Sequence, residues 1–282
     1  MMGSVGKALE ETRDALRAAN ISDTPDLEAT LLVSHATSLD RTGLITKRDK
    51  LLTETETATL KKELASRLEN IPMAYILGHR EFYDLDFKVD CHVLIPRSDT
   101  ETLIEAVKDH VTPSPDLNIL DLCTGSGCIG ITLSHLLSCP VTLADISTDA
   151  LAVAKENAER LIPGRFTLTK SDLCSSIHEI YAIIVSNPPY LTDAWIAEAE
   201  EQVRKEPRLA LDGKDADGLG LIRRLIPEAT GHLKKGGMLF LECDSRQCGI
   251  VRRLFLENGY DGVRIEKDLA GRDRVVWGKR HV

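Results

Sequence analysis

The chain has 282 residues, 43% of them hydrophobic, and a formal net charge of −9 at pH 7, which suits one large folded domain with a small companion. Both the first 75 residues and the remainder are acidic, so the basic excess that non-specific binding to a phosphate backbone demands is missing, and direct nucleic-acid binding is not expected. No run approaches the ~20 apolar residues of a membrane span, and Met1 to Glu11 has neither a basic stretch nor an apolar signal core, so a cytoplasmic protein away from membranes is expected. The seven cysteines show no Cys-x-x-Cys spacing; they read as reduced thiols, with no disulfide framework and no metal site.

Residues 1–73 read as helical throughout. Val5, Leu9 and Leu16 keep helical spacing, Thr24-Pro25 opens a second helix above Leu27, Leu31 and Leu32, and Thr53 with Glu56 forms a capping box ahead of the stripe Leu60, Leu64, Leu68. No constellation of catalytic groups falls here, and His35 reads as a helix-face residue, so this is a small helical domain for substrate recognition. Residues 74–95 read as a hairpin linker, because Glu81-Phe82-Tyr83 and Leu85 to Val89 are short, β-prone and close together. Arg97 stands just ahead of a helix that Ser98 and Glu101 would cap and that runs to about His110; it either binds a carboxylate or sits in solvent.

From 96 to 282 strand and helix alternate. Strands are expected at 118–122, 141–145, 166–170, 181–185, 238–242, 262–266 and 274–277, with helices at 126–137, 148–161 and 247–258. Such alternation predicts an α/β fold built on a largely parallel, doubly wound sheet. The cluster Arg272, Arg274, Lys279, Arg280 reads as a solvated face.

Two stretches hold the chemistry. After the first strand, Cys123-Thr124-Gly125-Ser126-Gly127 is a tight glycine turn opening a helix, and Asp145 ends the next strand where a carboxylate accepts from ribose hydroxyls. Asp172 with Leu173, after the third strand, is placed for an adenine amino group. After the 181–185 strand comes Ser186-Asn187-Pro188-Pro189-Tyr190, whose prolines stop the strand at its carboxyl end. The Asn187 amide oxygen and the Pro188 carbonyl are two acceptors for one planar NH₂ group, and Tyr190 offers a flat face to pack on it. The bland alternative is a proline turn. Gly125 to Gly130 also fits the dinucleotide fingerprint, so a nicotinamide-dependent oxidoreductase is a rival. Asp121, four residues before Gly125, suits the ammonium group of S-adenosylmethionine better than a pyrophosphate, and a dehydrogenase has no use for the Asn187 tetrad.

These stretches, with Ala74 to Gly78, Arg80-Glu81-Phe82, Leu94 to Arg97, Glu206-Pro207-Arg208, Ala210 to Gly213 and Lys267 to Arg274, resemble the protein-glutamine methyltransferases, and among them the branch that acts on bacterial peptide-chain release factors. The resemblance implies a Rossmann-like S-adenosylmethionine-dependent methyltransferase domain behind a helical domain and a hairpin linker. It implies as substrate the glutamine of the release-factor Gly-Gly-Gln motif, methylated on its side-chain amide nitrogen. It also implies Asn187, Pro188 and Tyr190 as catalytic residues, with Pro189 joining them in binding substrate. The cofactor would be held by Cys123, Thr124, Gly125, Ser126, Gly127, Asp145, Asp172, Leu173 and Asn187, in a monomeric enzyme. Cys123 stands where the family usually has glycine, Ser98 replaces a proline, Cys243-Asp244-Ser245 replaces a more apolar stretch, and the loop Asp212 to Gly218 is one residue longer. Cysteine at 123 also looks like the sister enzymes that methylate a ribosomal protein. An adenine amino-methyltransferase and a non-catalytic adaptor that keeps the cofactor fold are further alternatives.

Overall fold

The computed structural model describes residues 3–281 and divides them into two compact units, one running up to Gly78 and including Glu201–Lys205, the other comprising His79–Glu200 and the chain from Glu206 onward. The first unit is helical: α1 Val5–Ala19, α2 Pro25–Thr37, α3 Arg41–Thr46, α4 Glu54–Leu68 and α5 Met73–Leu77. Ser4 and Asp40 cap α1 and α3, and the Thr53–Glu56 capping box forms at α4. Pro25 opens α2, although Thr24 makes no capping bond. Val5, Leu16, Leu32, Val33 and Leu44 meet in the core of this unit. Arg67, fully buried, donates to both carboxylate oxygens of Glu28 and to the Ile21 carbonyl, the bidentate geometry that holds a buried ion pair. His35 bonds Glu63 from a helix face. The helix α5 begins at the last residue of the stretch read above as helical and runs into the one read as hairpin linker.

In the second unit the paired strands of the hairpin are β1 His79–Phe82 and β2 Leu85–Lys88, joined by Tyr83 and Asp84 at φ 51° and 59°, the left-handed pair that a tight hairpin turn needs. A 3-10 turn over Ser98–Thr100 leads into α6 Glu101–His110. The capping box expected of Ser98 and Glu101 does not form. Tertiary bonds set this turn instead: Asp99 pairs with Arg272 and Arg274, and Thr100 is buried against Asn187.

The sheet follows as β3 Ile119–Leu122, α7 Cys128–Leu137, β4 Val141–Asp145, α8 Thr148–Leu161, β5 Phe166–Lys170 and β6 Tyr181–Ser186. Short helices α9 Asp193–Glu198, α10 Glu201–Arg204 and α11 Arg208–Leu211 come next. They are followed by α12 Gly220–His232, β7 Leu233–Glu242, α13 Cys248–Glu257, β8 Tyr260–Lys267 and β9 Asp273–Arg280. The strand order is β5-β4-β3-β6-β7-β9-β8; the first five are parallel and β9 runs antiparallel to both its neighbours. Successive strand residues face opposite sides: Ile119 and Val185 join the core with Leu103 and Ile129, whereas Leu120 and Ile184 join the one with Leu225 and Val251. The helix α7 starts at Cys128 rather than Ser126, because Gly127 caps it in the left-handed region at φ 83°. Strands are added outward from β3 in one direction as far as β5 and in the other from β6, so the strand order reverses between β3 and β6, which puts a crevice at their carboxyl ends.

Candidate active site

That crevice is a cavity of about 400 Å³ whose lining includes Cys123, Thr124, Gly125, Ser126, Asp145, Asp172, Leu173, Asn187 and Pro189. The loops after β3, β4, β5 and β6 thus converge as their sequence positions require. Gly127, Pro188 and Tyr190 do not line it. Gly127 shapes the turn instead, since a Cβ there would meet Ile131 Cδ1 at 2.6 Å. Tyr190 points its hydroxyl into the protein, donating to Glu242 Oε1 at 3.2 Å.

The glycine turn is held from two sides. Asp121, fully buried at the middle of β3, accepts from Thr124 Oγ1 at 2.6 Å and from the Gly130 amide at 2.9 Å, both on Oδ2. Burial pushes its carboxyl up to about 7 against those two hydrogen bonds, and Oδ1 is left without a partner. Asp145 accepts from the Gly125 amide on one oxygen and the Ser147 amide on the other, each at 2.9 Å. Burial raises its pKa while those amides hold it down. Cys123 sits at φ 58° and Leu173 at φ 48°. Left-handed backbone at non-glycine residues is strained, and for Cys123 it is the conformation that a glycine would adopt freely.

Ser186 Oγ donates to the Leu122 carbonyl at 2.6 Å, tying the end of β6 to that of β3. The chain beyond the prolines is fastened by Leu191, which pairs with Asp212, and by Gln247 Nε2 donating to the Tyr190 carbonyl at 2.8 Å. Asn187 donates from Nδ2 to Thr100 Oγ1 at 3.4 Å, so its amide oxygen stays available. Among the described residues no hydrogen bond reaches the Pro188 carbonyl. Arg97 binds an internal carboxylate, Glu206, which also accepts from the Ile95 amide; burial raises the Glu206 pKa and Arg97 offsets it. Arg274 corrects the reading of a solvated basic face: it is buried and paired with Asp99 and Asp268. Glu206 was named only within a family-like stretch, and Glu242, Thr100 and Arg224, which pairs with Asp172, were not singled out from the sequence, because each has a partner 50 or more residues away and neither periodicity nor spacing encodes that.

The residues fit S-adenosylmethionine. An ionised carboxylate offers about four lone-pair sites, and Asp145 uses two of them on backbone amides, leaving one per oxygen for two ribose hydroxyls. Asp121 holds the glycine turn from a fully buried position and does not line the cavity, and Asp172, held by Arg224, keeps its second oxygen for an amino group. Asp145→Ala is expected to weaken binding of this cofactor by about 1–3 kcal/mol, the usual loss of charge-assisted hydrogen bonds; unchanged affinity in calorimetric titration would remove Asp145 from the ribose.

A glycine turn, a ribose-type carboxylate and an Asn-Pro-Pro-Tyr strand end around one switch point of a mostly parallel sheet define an α/β methyltransferase. Residues 7–78 match the PrmC N-terminal domain family and residues 98–208 the methyltransferase small domain family. The chain is 40% identical over 278 residues to a release factor glutamine methyltransferase of Moorella thermoacetica, covering 97% of this chain and 98% of that one. It is 37% identical over 282 residues to one of Vibrio cholerae, covering 99% and 98%. A solved methyltransferase structure from Pyrococcus furiosus shares the fold at a TM-score of 0.54 and 16% identity, over 79% of this chain and 100% of that one. The chain belongs to the release factor glutamine methyltransferase family.

Proposed function

We infer that this protein transfers a methyl group from S-adenosylmethionine to the side-chain amide nitrogen of the glutamine in the Gly-Gly-Gln motif of peptide-chain release factors. The observation behind the chemistry is the pair of available acceptors at the end of β6, the Asn187 amide oxygen and the Pro188 carbonyl, beside the cofactor cavity. The substrate class rests on family membership.

Bound in the cavity, S-adenosylmethionine supplies an electrophilic methyl group. An amide nitrogen is a poor nucleophile because its lone pair is delocalised into the carbonyl, so the work of the chain is placement. Asn187 Oδ1 and the Pro188 carbonyl accept the two amide N–H bonds, aim the lone pair along one line, and favour positive charge as it develops. Tyr190 packs on the amide plane with its hydroxyl anchored on Glu242, and Pro189 completes the wall. The proton becomes acidic once the nitrogen is methylated and leaves to water. Methyl transfer from labelled cofactor to purified release factor, ribosomal protein and DNA in parallel tests the reading: label in the release factor is expected, and label only in the ribosomal protein or the DNA would overturn it.

The helical unit is the part that recognises the body of the release factor, a role supported by its lack of a catalytic constellation. A chain beginning at Ala74 is expected to keep binding the cofactor and to methylate intact release factor poorly; undiminished methylation refutes the role. The protein works in the cytoplasm, as a monomer, without contacting nucleic acid. Among the described residues no helix is long and apolar enough to cross a membrane, and the net charge is −9. A dimer in light scattering would overturn the monomer.

A further inference from the structure

We propose that Arg224 and Glu228, one turn apart on α12, are positioning residues that hold the Asp172 carboxylate toward the cofactor cavity and so set a preference for an adenine base. The proposal rests on the reading of Asp172 as the acceptor of the cofactor's adenine amino group.

An aspartate at the start of a turn has a nearer partner than any ligand, because its carboxylate readily folds back on the backbone amide two residues on. Aspartates of this chain do so repeatedly. Asp90, Asp145, Asp212, Asp217, Asp244 and Asp268 each accept from that amide, at 2.9 to 3.2 Å. At Asp145 this bond is part of what fixes the carboxylate beside the glycine turn. Asp172 also opens a turn, since the Ser175 amide donates to its carbonyl at 3.0 Å, yet its side chain takes another course. The amide it would fold back on, that of Cys174, donates instead to Glu228 Oε2 at 3.1 Å. Glu228 closes the local option, and a partner on α12 takes its place.

That partner is Arg224. Its Nη2 donates to Asp172 Oδ2 at 3.1 Å and its Nε lies 3.6 Å from Glu228 Oε1, so the guanidinium is held between the two carboxylates. Asp172 and Arg224 both line the cavity. With Oδ2 engaged, Oδ1 is the oxygen left for a donor, and among the described residues no hydrogen bond reaches it. The support is firm, because Leu225, Ile226 and Ala229 of α12 pack in one core with Leu173 and Cys174, which fastens the helix to the turn. The Asp172 and Arg224 side chains are 47% and 48% exposed, so their ion pair adds little to stability. Its consequence is direction: a carboxylate held in one orientation accepts from the exocyclic amino group of adenine and gains nothing from a base without it.

Calorimetric titration tests this with two ligands, S-adenosylhomocysteine and its counterpart in which hydrogen replaces the adenine amino group. The wild-type protein is expected to bind the first about 10- to 10²-fold more tightly, the worth of one hydrogen bond to a charged group. Asp172→Ala is expected to bring that ratio to within a few-fold of one. Arg224→Ala and Glu228→Ala, which leave Asp172 in place, are expected to do the same. Glu228→Gln still accepts from the Cys174 amide and is expected to keep most of the preference. A merely structural role for α12 would weaken both ligands alike and leave the ratio unmoved. A wild-type ratio in Arg224→Ala or Glu228→Ala, with the ratio lost in Asp172→Ala, would overturn the positioning role alone. A wild-type ratio in Asp172→Ala would overturn the adenine reading beneath it, and the proposal with it.

Discussion

A release factor whose motif glutamine is replaced by glutamate is expected to take up no detectable methyl group from this enzyme. In the proposed site the glutamine amide brings two N–H donors to two acceptors, Asn187 Oδ1 and the Pro188 carbonyl. A glutamate carboxylate of the same shape brings only lone pairs, set against lone pairs. Sites built to hydrogen-bond a particular substrate group reject an analogue without it by about 10⁴-fold or more, which places glutamate below detection. The complementary change is Asn187→Asp. The new carboxylate still accepts, but it loses the NH₂ that holds Thr100 and adds charge beside the cofactor cavity. Its kcat is expected to fall severely with the fold intact by circular dichroism. Efficient transfer to the glutamate variant, read by label incorporation, would mean that the two acceptors do not select the substrate.

The second large effect is expected at a residue with no side chain, Gly213. A Cβ there would lie 2.1 Å from the Gly218 carbonyl oxygen and 2.6 Å from the Cα of Tyr190. All of these are backbone atoms, so no side chain can turn aside. Gly218 is packed as closely from the other direction, its Cβ position being 2.2 Å from the Tyr190 carbonyl oxygen. Gly213→Ala must therefore push the Tyr190 segment, and with it the Pro188 carbonyl and Asn187. A displacement of about 1 Å at the reacting centre is enough for a 10²-fold loss, and a kcat reduction of that order is expected. Steady-state kinetics at saturating cofactor will show it, and a wild-type kcat would mean that the loop 212–218 yields without moving the tetrad.

Much of the second unit was legible because its signals are local. β4, α8 and β5 fall at the residues that alternation and periodicity indicate, and the glycine turn, Asp145 and the Asn-Pro-Pro-Tyr segment are punctuated by residues whose backbone limits are intrinsic. What was not legible depends on distant partners. The capping box expected at Ser98 lost to ion pairs between Asp99 and two arginines more than 170 residues away. Arg274 looked like part of a solvated cluster because sequence does not show the two carboxylates that neutralise it. Arg97 had two readings until Glu206 was found beside it. The start of β7 at Leu233 rather than 238 follows from a register irregularity against β6, which no pattern of side chains announces. In the site itself the sequence pointed to the tetrad but not to its neighbours, since Thr100 meets Asn187 and Glu242 meets Tyr190 only in the folded chain.

The central claim is that one glutamine amide nitrogen receives the methyl group, and fragmentation mass spectrometry of release factor reacted with purified enzyme and S-adenosylmethionine tests it most directly. A single added methyl group on the side chain of the Gly-Gly-Gln glutamine is the predicted result. An unmodified release factor, with the methyl group found on a ribosomal protein or an adenine reacted in parallel, would contradict the account and leave only a methyltransferase of another substrate.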